Sequence, residues 1–330
     1  MSNELPAPLI GAPLTERILQ RLGSPRWLWI LIWGLVPIAH SLMVIAIFAL
    51  SVGPIGHALP LLIPQTVLAY VVILLLWGLG RLFRQARDLA PDLKRLTDGL
   101  NERDTMPIIG SALGPVLMTI ALVGVNTTFN WIYSGPWLAL ASLPFLLLTV
   151  LPIMTFVYTY LALLGGLHRL GRHRLALDPF PQDRSLGLAA VGSLAFNGFG
   201  LLFAAAIPII LSTESTVTVF ESYAILAVAV LFFFLSMWRL HRQMSAAKAK
   251  YLQEARELYA SAYEPLRRSA TLETLQSHAT VLGAAQALEE RAASILTWPI
   301  SDQLMGIIIV VVAGVSSGFI VRFAFLLAKL

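Results

Sequence analysis

The chain has 330 residues, is 57% hydrophobic and only 12% charged, carries a net charge of +5 and contains no cysteine. A soluble domain is about 45–50% apolar and about 25% charged, so this composition, with a mean hydropathy of +0.77, excludes a water-soluble core, a disordered chain and a disulfide scaffold. The missing cysteines also exclude thiolate metal sites and thiol chemistry, and what remains is an all-α, polytopic membrane protein.

Residues 1–26 form a polar arm. Within it Leu14-Thr-Glu-Arg-Ile-Leu-Gln-Arg-Leu22, followed by Gly23, predicts a short amphipathic helix with a glycine stop. It reads as an interfacial helix guiding the first span. The first apolar run is about 25 residues, too long for the core of a cleavable signal, and reads as an uncleaved anchor.

No charge occurs over 27–80 or 105–167, and 185–238 carries only Glu214 and Glu221. A span needs about 20 apolar residues, so each block holds two spans. The region after Asp302, with only Arg322 and Lys329, holds a seventh. Turn residues place the spans at 27–51, 59–83, 108–133, 136–164, 186–211, 217–238 and 304–327. The breaks fall at Gly53, Pro54 and Gly56, at Ser134 and Gly135, and at Ser212 to Thr216. Pro144 and Pro152 are expected to kink the fourth. The domain plan is thus an arm at 1–26, a six-helix membrane region at 27–238 with loops at 84–107 and 165–185, a helical hairpin at 239–303, and a last span at 304–330.

Of the 23 Lys and Arg residues, 21 fall in the arm and in the segments after spans two, four and six, and the opposite loops carry none. The positive-inside rule then places the N-terminus and all long loops in the cytoplasm and the C-terminus outside, as expected of a multi-pass protein of the cell membrane. The net charge is a topology signal, and no nucleic-acid partner is expected.

Three segments lie on the charged side. Residues 81–101 have helical apolar spacing and are expected to bend at Pro91. Residues 168–184 read as a basic, proline-rich loop. Residues 239–299 read as a hairpin. Its first helix continues span six along Met244, Tyr251 and Leu258 and along Ala247, Ala255 and Ala262, and ends at Pro265. Its second is capped by Thr271 and striped by Leu272, Leu275, Ala279, Leu282, Leu288 and Ile295. Trp298-Pro299 closes it at the membrane interface. The bland reading is a hairpin packed on the other loops. The sharper one is an oligomerisation element contacting a second copy through Met244, Tyr251, Leu258, Leu275 and Leu282.

Polar groups within spans usually face protein or water. Here they are His40, Gln65, Asn126, Asn130, Asn197 and Glu221, with Thr119 on the face of the two Asn. Arg322 lies about 10–12 Å from the C-terminal end by helical rise. Most fall in the outer half and are candidates to line an outward-facing vestibule, against the alternative of isolated interhelical hydrogen bonds. Gly314, Gly318 and Arg322 share a face, which suggests a close helix contact and an ion pair between Glu221 and Arg322. The alternative is an Arg322 that snorkels outward.

Other motifs carry little. Gly314-Val-Ser-Ser-Gly318 matches a hydrolase elbow but sits in a span without acid or histidine partners. Gly110 to Gly114 reads as packing. His168 and His173 are a weak metal signal, and the sequon at Asn126 falls within a span. No nucleotide-binding loop, paired catalytic groups or lysine in the last span is present. Neither enzymatic activity nor a cofactor or metal is expected.

Seven spans with the N-terminus inside invert the plan of G-protein-coupled receptors. The plan, with span six prolonged into the cytoplasm and a helix leading to a final span, resembles the insect odorant and gustatory receptor channels. The resemblance is one of topology. It implies a tetramer anchored by 239–299, with 304–327 lining a central pore and Ser316, Ser317 and Arg322 as lining candidates. The reading is therefore an oligomeric, ligand-gated ion channel acting on ions or a small-molecule ligand. The alternatives are a secondary transporter, against which an odd span count and no internal repeat weigh, and a non-conducting sensor that binds a protein partner.

Overall fold

The computed structural model describes residues 11–23, 25–51, 62–96, 110–173, 175, 177, 184–212, 216–268 and 272–327. Every regular element among them is an α-helix: α1 (Leu14–Leu22), α2 (Arg26–Gly34), α3 (Val36–Ser51), α4 (Leu62–Leu96), α5 (Leu113–Ser134), α6 (Pro136–Leu170), α7 (Ala189–Ser212), α8 (Thr216–Arg268), α9 (Leu272–Ala293) and α10 (Asp302–Leu327). Six helical stretches are long and apolar enough to cross a membrane: Arg26–Ile47, Leu62–Leu93, Pro136–Leu170, Ala189–Ser212, Tyr223–Glu264 and Asp302–Phe325. The chain is an all-helical, multi-pass membrane protein. The third expected span corresponds to α5, a 22-residue apolar helix that is not among those six. The expected turn at Gly53, Pro54 and Gly56 lies outside the described residues.

The core is built from α4, α6, α7 and α8. Their apolar residues recur at helical spacing, as in Leu75, Leu79, Leu82, Ala86, Leu89 and Leu93 of α4. The same register runs from the apolar span into the charged extension, so α4 remains one helix through Pro91. Helices α4 and α7 run antiparallel. Leu201 fills the space over Gly78, and Leu82 and Tyr160 pack over Gly198. A second cluster joins Leu19 of α1 to Ile30, Trp33, Val72 and Leu76. The arm helix is thus docked on protein, because its apolar face meets α2 and α4.

Prolines set the local geometry. A proline lacks the N–H that would bond the carbonyl four residues back. Pro37 frees the Trp33 carbonyl, and the first span breaks there into α2 and α3 at Leu35. Pro152 frees the Leu148 carbonyl, which accepts the Trp33 indole N–H at 2.6 Å, and α6 runs on through both Pro144 and Pro152. The expectation that Pro265 ends the long helix is corrected. α8 runs to Arg268, so the lost bond falls in its final turn, where helices fray.

At 53 residues α8 is about 80 Å long. Its charged extension is a strut with two working sides. On one side Gln243 donates to the carbonyls of Gly171 (2.9 Å) and His173 (2.7 Å) and accepts the Leu175 N–H (3.3 Å). Tyr251 donates to the Leu177 carbonyl at 2.8 Å. These bonds tie Gly171, His173, Leu175 and Leu177 to α8. On the other side lies α9, with Ala255, Ala262, Ala285 and Ala292 buried along the two helices. The small side chains allow close approach. Lys248 donates to the carbonyls of Ala293 (2.7 Å) and Ile295 (2.8 Å), closing the C-terminal end of α9. His241 Nδ1 meets the Thr297 carbonyl at 2.7 Å, and its ring stacks on Trp298 with centroids 4.3 Å apart. The alanine stripe is therefore used inside the hairpin of one chain.

Candidate functional site

Three places gather polar or unfilled features. The first is the docking site of α1. Glu16, only 3% exposed, accepts a hydrogen bond from Arg26 and faces Arg84. Gly80 leaves the room, since a Cβ there would run into the Arg26 guanidinium and the Glu16 carboxylate. Arg17 donates to the Gly110 carbonyl at 2.8 Å, and Gly11 abuts Gly110. Burial pushes the Glu16 carboxyl above its ordinary range, and the positive charge of Arg26 and Arg84 partly offsets this. The sequence did not single out Glu16; its partners Arg26, Arg84 and Gly80 are brought together only by the docking of α1.

The second is an apolar cleft of about 480 Å³ between α7, α8 and α10. Phe203, Leu226, Ala227, Val230, Val312 and Val315 supply apolar wall. Tyr223 and Ser316 bring the hydroxyls, and the Tyr223 and Phe319 rings meet edge-on at 4.9 Å.

The third is α10 itself. Its apolar window is 6% buried, against 28–39% for the other five spans. Ile308 is buried, and Leu304, Val311, Val312 and Val315 pack beside it. Gly314 faces open space, and a Cβ at Gly318 would meet only the Tyr223 hydroxyl, at 3.3 Å. Among the described residues Gly318 is approached by Tyr223 and Gly314 makes no close helix contact.

The other sequence candidates do not converge on one cavity. His40 stacks on Phe145 between α3 and α6, with centroids 5.4 Å apart and a buried Nε2 that has no partner among the described residues. Asn197 donates to the Gln85 side chain at 3.1 Å. Gln85 lies between Arg84 and Arg87, so this bond joins Asn197 to the start of the charged extension of α4. Gln65 is half-buried near the charge-free end of α4, and Asn126 is exposed on α5. Thr119 satisfies itself on the Pro115 carbonyl at 2.7 Å. Ser316 and Ser317 are exposed, with Ser316 toward the cleft. The side chains of Asn130, Glu221, Arg322 and Leu275 lie outside the described residues, and with them the expected ion pair. Among the oligomerisation candidates Met244 is fully buried within the chain, Tyr251 is committed to Leu177, Leu282 is half-buried and Leu258 is exposed. Gln243, Lys248 and His241, which the sequence did not single out, carry the hairpin's attachments.

No known protein family, curated protein or solved structure matches the chain.

Proposed function

We propose that the chain is one subunit of a homo-oligomeric channel assembled around α10. The observation that carries this reading is the sparse packing of α10. Its face away from Ile308 carries Gly306, Ala313, Gly314 and Ser317, with open space before Gly306 and Gly314. In a bilayer, where lipid is as apolar as leucine, small and hydroxylated residues mark helix–helix contact or a watery path. The polar candidates of one chain lie in separate helix pairs, so an outward vestibule would form between copies. With α5 counted, the spans number seven, the arm and charged segments lie in the cytoplasm by the positive-inside rule, and the last helix ends outside. That plan resembles the insect odorant and gustatory receptor channels. Gating by a small ligand and residence in the cell membrane belong to the same reading.

The test is reconstitution of the full chain. Subunit counting by photobleaching is expected to return a fixed number above one, and planar bilayers are expected to show unitary currents that Ser317→Trp abolishes. A strict monomer, or an oligomer without conductance, overturns the channel. A second reading is a non-conducting sensor, favoured by exposed Tyr259, Tyr263 and Leu288 on the charged-end hairpin. It predicts a stable complex with a protein partner and no current.

A further inference from the structure

We propose that the cleft between α7, α8 and α10 is a seat for one acyl chain of a bilayer lipid, entering sideways between α8 and α10. The cleft holds about 480 Å³, within the roughly 300–1,000 Å³ of small-ligand sites. It is open on one side, and its wall is apolar apart from two hydroxyls. Each water in such a space needs two to four polar partners, and the described lining offers two hydroxyls for the whole volume. An empty space would leave the rings of Phe203 and Phe319 without contacts on one side. The lining belongs to the apolar stretches of three spanning helices, so the solvent that reaches the opening is hydrocarbon.

The polar groups suit an ester-linked chain. Tyr223 lies about 10 Å along α8 from its first residue. Its hydroxyl makes no hydrogen bond among the described residues, and Gly318 leaves space beside it. A tyrosine so placed keeps its ring in hydrocarbon and offers its O–H to an acceptor such as an ester carbonyl. Among the described residues the lining is apolar apart from the two hydroxyls, which suits the chain of a lipid. An acyl chain in this seat supplies much of the packing that α10 lacks against α8. The proposal rests on the membrane-spanning fold and is independent of conductance and subunit number.

The experiment uses the full chain in phosphatidylcholine vesicles containing a small fraction of phosphatidylcholine with a diazirine on one acyl chain. After photolysis, adducts are mapped by mass spectrometry. Adducts at Ala227, Val230 and Ser316 are expected to saturate at one lipid per chain. Ala227→Trp, which fills the cleft, is expected to lower them about tenfold, the equivalent of about 1.4 kcal/mol, while adducts at the exposed Ile225 and Phe232 of α8, outside the cleft, stay unchanged. Should Ala227→Trp fail to give a monodisperse protein, Ile320→Trp fills the lining from its exposed end and is read the same way. Labelling that rises without saturation in the cleft and at Ile225 and Phe232 alike, and ignores the substitution, means boundary lipid only, and overturns the seat.

Discussion

Trp33 completes the hydrogen bonding that Pro152 interrupts. The Leu148 carbonyl, four residues before Pro152, accepts the Trp33 indole N–H at 2.6 Å. In a spanning helix a freed carbonyl has no water to turn to, so one bond both satisfies α6 and pins α2 against it. Trp33→Phe keeps the ring and removes the donor. It is expected to cost about 1–3 kcal/mol, the penalty for stranding a buried acceptor. In a Pro152→Ala background the restored backbone N–H takes the carbonyl, and the same change is expected to cost under about 0.5 kcal/mol. A double-mutant cycle on reversible unfolding in detergent measures the difference, and equal costs in both backgrounds would refute the coupling.

Glu16 makes the attachment of α1 depend on pH in an unusual direction. Most carboxylates in ion pairs are held low, but burial raises this one from its ordinary value of 4.5 against the opposing charge of Arg26 and Arg84. A raised value in the docked state means that docking takes up a proton. Its stabilising contribution is full below 4.5 and is lost as pH rises through the raised value. Docking of α1 is expected to tighten as pH falls from neutral, and Glu16→Gln is expected to flatten the dependence. Amide-exchange protection of Leu14–Leu22, corrected for intrinsic rates, reports it; a helix that loosens on acidification contradicts the sign.

Two glycines on α7 differ in what replacing them would do. The chain at Pro299 and Ile300 passes directly over Gly192, and a Cβ there would collide with the Pro299 carbonyl oxygen. Backbone cannot rotate away as a side chain can. Gly192→Ala is expected to displace the approach to α10 and to cost about 1–3 kcal/mol or more, the range for forced overpacking. A Cβ at Gly200 meets nothing within 4 Å, and Gly200→Ala is expected to stabilise the helix by about 0.5–1 kcal/mol. Thermal unfolding of the pair decides, and a harmless Gly192→Ala would place the 298–300 segment elsewhere.

The helices were legible because lipid and water sort residues by class. The blank runs of charge bracket the spans, and the continuation of α8 past Trp238 follows from apolar spacing that persists through Met244 and Ala255. The associations between helices were not legible. Asn197 meets Gln85 across 112 residues of sequence, and only the three-dimensional register of α4 against α7 brings the two amides together. Gln243 reads as a polar surface residue, yet its amide satisfies three backbone groups of another segment. Gly314 and Gly318 look like a packing pair because small residues allow close approach, but a pattern of small residues does not say which helix approaches. The sequence marked the alanines of the hairpin as a contact surface, and the structure shows that α9 takes it.

Gln243 and Arg256 both tie α8 to neighbouring segments, and burial separates their worth. The Gln243 amide holds Gly171, His173 and Leu175 together. Gln243→Leu strands two carbonyls and one N–H at a part-buried site, an effect of about 1–3 kcal/mol for each group that water fails to reach. Arg256 and Glu289 form a 3.1 Å ion pair across the hairpin, but their side chains are 69% and 40% exposed. Screening and side-chain entropy leave such a pair about 0–1 kcal/mol. Gln243→Leu is therefore expected to raise amide exchange at Gly171, His173 and Leu175 and lower the unfolding temperature, while Arg256→Met leaves both nearly unchanged. Added salt is expected to erase what effect Arg256→Met has and to leave that of Gln243→Leu intact, because only the ion pair is open to screening. If the two variants lose stability equally and with the same salt dependence, the strut is held by charge at its surface and the amide clamp is incidental.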